Sequence, residues 1–147
     1  WGGLKNGAHQ YLERHINEVG NHIAAFESDL GSTKLYGFGH SGPGADIMKM
    51  VLTKYLSILG AGDYSDDGHS ADVEPLFEKG VPIICNLIKD TPDSKFYFKY
   101  HHSAGDSMTM MNPDDMDSNV VGIASLLFIL ADLETSLRAP QAPQTMI

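Results

Sequence analysis

The sequence predicts an α/β domain on a mainly parallel sheet, and three observations carry that reading. The apolar stretches within HIAAFESDLG and VPIICNLI have the length and continuity of buried strands. Longer segments between and after them repeat apolar residues three and four apart, the spacing of helices that cover a sheet. The resulting order of helix, strand, strand, helix, short helix, strand and helix is that of an α/β layer. The 147 residues are 42% hydrophobic, an ordinary balance for one globular core.

Each element has its own local signal. Leu4, Ala8, Leu12, Ile16 and Val19 recur at helical spacing, with Glu13, Arg14, Asn17 and Glu18 opposite them. HIAAFESDLG reads as a strand of about five residues closed by acids and a Gly turn, and KLYGFGH as a second strand. SGPG breaks that pattern. Asp46 then opens a helix with Ile47, Met48, Val51, Leu52, Tyr55, Leu56, Ile58 and Leu59 inward, stopped by Gly60. GAGDYSDDGHSADVE is rich in Gly and Asp and reads as a loop. VEPLFEKG fits two helical turns, with Pro75 in the first and Gly80 just past the end. VPIICNLI is the best buried-strand candidate. A polar connection, KDTPDSKFYFKYHHSAGDSMTMMN, leads to a last helix over 113–137, capped by Asn112 with Pro113 in its first position. The residues APQAPQTMI, with two prolines, read as a frayed tail.

Charge and composition exclude several functions. Ten Lys and Arg against 19 Asp and Glu give a formal charge of −9, the wrong sign for nucleic acid or an anionic membrane surface. The most apolar stretch, 120–133, falls short of the roughly 20 residues a bilayer span needs. Cys85 has no partner for an internal disulfide and reads as a buried, unreactive thiol. The N-terminus shows neither a basic region nor an apolar signal segment and reads as a chain that begins inside a domain. GHSGPG is not a nucleophile elbow, and GFGHSGPG lacks the Lys-Ser/Thr pair of a phosphate loop.

In parallel sheets the chemistry gathers where loops leave the carboxyl ends of strands, which directs attention to ESDLG and YHHSAGD. Asp29, after an apolar strand, is either a turn former or a hard-oxygen metal ligand held on a rigid strand end. His101, His102 and Asp106 follow FYFKY, so aromatic bulk, imidazole and carboxylate fall within a dozen residues. One such His can coordinate a metal while a carboxylate or carbonyl accepts its second ring proton; spacing alone does not select which. Asp72 reads as the N-cap of the short helix or as a site acid. His69 reads as a solvated loop residue, and His9, His15, His22 and His40 as structural.

Taken in order, ESDLG, GHSADVEPLFEKGVP and YHHSAGDSMTMMNPDDMD, followed by an apolar helix ending in LADLE, resemble the C-terminal half of the co-catalytic di-zinc exopeptidases. This family includes zinc aminopeptidases and carboxypeptidases. The likeness runs from Gly2 to about Leu137. It implies a three-layer fold with helices on both faces of a mixed, mainly parallel sheet, residues 1–138 forming the C-terminal part of the catalytic domain and 139–147 a flexible tail. It also implies two zinc ions bridged by an Asp and a water, each with one further His and one carboxylate, and a Glu as general base. Asp29 matches the carboxylate ligand and His102 the C-terminal His ligand, with His101 its neighbour and Asp106 and Asp72 acids near the site.

The family carries an adjacent Glu-Glu pair, base then ligand, immediately before the glycines that are Gly2 and Gly3 here. Only Trp1 precedes them in this chain. The resemblance therefore implies a C-terminal portion with two ligands of a five-residue site, no catalytic residue of its own, and no activity alone. For the whole protein it implies an exopeptidase of short peptides, dipeptides especially, that is secreted or lysosomal and forms a homodimer. The competing readings are a non-catalytic receptor or interaction domain of the same fold, and an acidic α/β domain with chance motifs.

Overall fold

The computed structural model describes residues 7–30, 33–68, 71–89 and 96–138. The Gly2-Gly3 pair, Leu4, Gly31, His69 and the expected tail at 139–147 lie outside them. The elements are helix α1 (Gly7–Arg14), strands β1 (Ala25–Glu27) and β2 (Leu35–Ser41), helix α2 (Ala45–Val51), strand β3 (Asp63–Ser65), helix α3 (Glu74–Phe77), strand β4 (Ile83–Ile88), helix α4 (Phe96–Tyr100) and helix α5 (Pro113–Asp132).

The expected α/β architecture is present. The strands form one sheet in the order β1-β4-β2-β3, with β1 parallel to β4, β2 parallel to β3, and β2 antiparallel to β4. Helices lie on both faces, as the two apolar clusters demonstrate. Phe26 packs against the cluster that holds Phe38, Ile84 and, from the helices, Val51, Leu52 and Leu126. Its neighbour Ala25 packs instead with Val19, Leu76 and Val81, on the side of α1 and α3. Adjacent strand residues point to opposite faces, so β1 is a divider between two layers of helix.

Several elements differ from the sequence expectation. The first helix stops at Arg14, and a 3₁₀ segment, Ile16–Asn21, continues it. There His15 Nδ1 meets Glu18 Oε2 at 2.9 Å and Tyr11 Oη meets His22 Nε2 at 2.9 Å, so two histidines that lacked partners in sequence have them in space. The first strand is three residues long and only half-buried at the sheet edge. The Gly- and Asp-rich segment expected as a loop contains β3, recruited by the exposed edge of β2. The helix after Asp46 passes through a π turn at Leu52–Leu56 before Gly60 ends it with φ 73°; Met48, Val51, Leu52 and Leu56 are buried but Ile58 is 88% exposed. The polar connection holds α4 and a 3₁₀ turn at Met108–Met110.

The final helix begins as expected: Asn112 Oδ1 accepts from the Asp114 N–H at 2.9 Å, with Pro113 in the first turn. It ends at Asp132 rather than at Leu137. Leu133 turns extended, which lets Leu137 fold back into the core at 3% exposure against Gly44. A buried polar chain sets the roll of α5 on the sheet: Asn86 Nδ2 donates to Asn119 Oδ1 at 3.1 Å, and Asn119 Nδ2 donates to the Thr33 carbonyl at 2.7 Å. Such groups cost stability in the interior unless bonded. The outer side of α5 is also apolar, with Val120, Val121, Leu127 and Phe128 exposed. A helix apolar on both sides is suited to burial between layers.

His40, expected to be structural, is buried at the end of β2, where Nε2 donates to the Pro43 carbonyl at 3.0 Å and Nδ1 has no partner. Burial lowers its pKa; the bond to Pro43 acts the other way and is weaker. The unfolded imidazole, with pKa near 6.5, then binds more protons than the folded one, so stability rises with pH. The His40 contribution should be complete above about pH 7 and fall below about 6.5, by up to about 1.4 kcal/mol per pH unit. Denaturant midpoints from pH 7.5 to 5 measure this. A His40→Gln variant should have a shallower slope; an unchanged slope would assign the pH dependence to other groups.

Candidate active site

The candidate residues gather at the carboxyl end of β1, beside its parallel partner β4. Asp29 lies two residues past the last residue of β1. Its Oδ1 accepts a hydrogen bond from Tyr97 Oη at 3.0 Å, a contact across 68 residues of sequence. Tyr97 lies on α4, within the segment that reads in sequence as a polar connection. A cleft of about 280 Å³ opens here, lined by Asp29, Leu30, Ala71, Cys85, Tyr97 and Phe98, among others. Cys85, expected to be buried, is half-buried in its wall, and burial raises the pKa of its thiol.

From Tyr97 the contacts run on to the histidine pair. The rings of Tyr97 and His101 lie 4.6 Å apart, and those of His101 and His102 stack at 3.5 Å. His102 has φ 56°, the sole non-glycine positive φ among the described residues. A left-handed residue other than Gly, Asn or Asp costs about 1–2 kcal/mol. Such strain persists where surrounding contacts enforce it, and it concentrates at functional positions. The turn that enforces it is tightly bonded. Ser103 N–H and Oγ–H both donate to the Tyr100 carbonyl, at 3.0 and 2.7 Å, and the Asp106 N–H donates to the Ser103 carbonyl at 3.1 Å. Asp106 thus closes the loop that carries His102.

Asp72 differs from its expected local role. Val73, not Asp72, is the N-cap of α3, and the Asp72 N–H donates to Glu27 Oε2 at 2.8 Å. Glu27 ties β1 to the segment that brings Ala71 to the cleft. Burial raises its pKa, the Asp72 N–H opposes that, and the negative charges of Asp72 and Asp29 add to the rise. Tyr97 is pushed up to about 12 by burial, then by its bond to Asp29 and the charges of Asp29, Glu27 and Asp106. It is a neutral hydrogen-bond donor throughout the physiological range.

Sequence reasoning found the acids and the histidines but missed Glu27 and Tyr97. Glu27 had a signal only in being a second acid two residues before Asp29 in the segment that closes the strand. Tyr97 had none beyond its place in an aromatic run. Carboxylate oxygen and imidazole nitrogen are donors that zinc accepts. Asp29 and His102 therefore fit that metal in kind, but no group of three or more His, Cys, Asp or Glu converges among the described residues. No described helix is long and apolar enough to cross a membrane.

Comparison with known proteins gives the family context. No protein-family model matches the chain. Curated relatives do: it is 32% identical over 134 residues to carboxypeptidase Q of Rattus norvegicus, 30% over 137 to that of Homo sapiens and 29% over 137 to that of Bos taurus. Each alignment covers 89% of this chain and 27% of the relative. The crystal structure of a peptidase M28 precursor from Shewanella amazonensis superposes with a TM-score of 0.80 at 26% identity, covering 93% of this chain and 30% of that one. These likenesses support the zinc exopeptidase family, in its C-terminal part. The chain spans about a quarter of the length of the curated relatives.

Proposed function

We propose that the protein containing this chain is a di-zinc exopeptidase that hydrolyses short peptides, dipeptides above all. Asp29 and His102 each supply one zinc ligand. The observation that carries this reading is the Asp29 carboxylate at a strand end, hydrogen-bonded by Tyr97, with the strained His102 reached through the Tyr97–His101–His102 stack. No residue of this chain matches the general-base Glu, the remaining carboxylate, the first His or the bridging Asp, and the base is expected just before Trp1. When bound, the two zinc ions lower the pKa of a shared water and polarise the scissile carbonyl.

The residues of this chain bind and orient. Asp29 offers negative charge at the floor of the cleft, and Tyr97 holds one of its oxygens. Leu30, Ala71 and Phe98 give the cleft apolar walls and help to exclude water from a bound peptide. Asp72 and Asp106 act at one remove, Asp72 through Glu27 and Asp106 through the His102 turn. The protein acts after secretion or in lysosomes, as a homodimer. The chain by itself is inactive and poorly soluble, since the stripe of Val120, Val121, Leu127 and Phe128 is uncovered.

Metal analysis of the full-length protein tests the reading. The expected result is two zinc ions per chain, with dipeptide hydrolysis lost on chelation and restored by zinc. Full-length protein that neither retains zinc nor cleaves dipeptides would instead support a non-catalytic receptor or interaction domain.

A further inference from the structure

We infer that Tyr97 is the positioning residue that couples the two candidate zinc ligands of this chain, holding Asp29 through its hydroxyl and the His102 turn through its ring. The inference rests on the ligand assignment proposed above and goes beyond it, because Tyr97 itself touches no metal in that assignment.

Three observations converge. First, the hydroxyl donates to Asp29 Oδ1 at 3.0 Å. A carboxylate beyond a strand end rotates about two side-chain bonds, and a donor on one oxygen selects the rotamer in which the other oxygen is presented. Second, the ring packs at 4.6 Å on His101, which stacks at 3.5 Å on His102. The His101 N–H also donates to the Tyr97 carbonyl at 2.9 Å, so the backbone of α4 and the aromatic stack fix the same geometry. Third, His102 adopts φ 56° directly after that helix, a conformation that needs external support. Tyr97 is the one residue with contacts to both arms of this arrangement among those given for the described residues. Outer partners of metal ligands typically contribute 10- to 100-fold to metal affinity.

The test is zinc affinity of the full-length protein, measured by competition with a chelator in metal-buffered solution. Tyr97→Phe keeps the ring and removes the hydroxyl, so zinc should bind about 10- to 100-fold more weakly, while unfolding of the metal-free protein stays at the wild-type midpoint. Tyr97→Leu removes the stack as well and should weaken zinc further. Cobalt-loaded Tyr97→Phe should show a shifted visible absorption, which a purely structural role for the hydroxyl would not produce. Wild-type zinc affinity and an unshifted cobalt spectrum in Tyr97→Phe would overturn the inference. Asp29→Ala separates the two levels: weakened zinc in Asp29→Ala with wild-type affinity in Tyr97→Phe rejects the positioning role alone, whereas wild-type affinity in Asp29→Ala rejects the ligand assignment and the inference with it. If Tyr97→Leu fails to fold, Tyr97→Phe still decides.

Discussion

Full-length protein carrying His102→Gly should be more stable without metal than the wild type and yet lose dipeptide hydrolysis. The backbone of His102 is left-handed at φ 56°, where a Cβ costs about 1–2 kcal/mol. Glycine relieves that strain but forfeits some stability through the greater freedom of the unfolded chain, so a net gain of up to about 1 kcal/mol is expected. The same substitution deletes the imidazole. Loss of a zinc ligand should lower kcat/KM on the order of 10³-fold or more, since even one oxyanion donor is worth about 10²–10³. Asp29→Ala should match this loss of activity without the gain in stability, because its partner Tyr97 Oη is left to water in an open cleft. Denaturation of the metal-free protein and steady-state hydrolysis read the two effects separately. Normal turnover in either variant would sink the assignment of that residue as a ligand.

Gly39→Ala should be strongly destabilising for so small a substitution. A Cβ at Gly39 would lie 2.0 Å from the Asp67 carbonyl oxygen and 2.8 Å from Cys85 Sγ. The first of these is backbone and cannot swing aside. The 66–68 segment crosses the sheet there, held by the Gly68 N–H donating to Ser41 Oγ at 2.9 Å. Relieving the clash requires that segment to lift, which also loosens the link from Asp72 to Glu27. A loss of about 3 kcal/mol is expected from such overpacking, together with weaker zinc binding. Gly7→Ala is the matched control: nothing lies within 4 Å of its Cβ position, and in a helix Ala should be neutral or stabilise by about 0.5–1 kcal/mol. Chemical denaturation of both variants measures the contrast, and equal stabilities would show that the crossing segment yields freely.

The elements legible in the sequence were those with strong local determinants. Asn112 and Pro113 marked the start of α5 because capping and the fixed proline φ act within one turn. Gly60 and Gly80 marked helix ends because their positive φ is a local demand. β4 was legible because an interior strand is apolar on both faces. The misread elements obey non-local rules. β3 is three residues in a Gly- and Asp-rich stretch and exists because β2 offers it an edge. The last helix stops early because Leu137 gains more by returning to the core than by continuing a turn.

For the site, the ordered motifs around Asp29, Asp72 and His102 were readable as sequence, and with them the likeness to the zinc exopeptidases that the relatives support. Chain order and residue chemistry by themselves determined the α/β class, the acidic character and the candidate ligands. The tertiary structure alone decided that Tyr97 bonds Asp29 across 68 residues, that His101 stacks between Tyr97 and His102, and that Asp72 reaches Glu27 rather than capping α3. Capping, turns and periodicity act over a few residues and leave a pattern in the sequence. A hydrogen bond between two loops leaves none, because its geometry depends on how the intervening strands and helices pack.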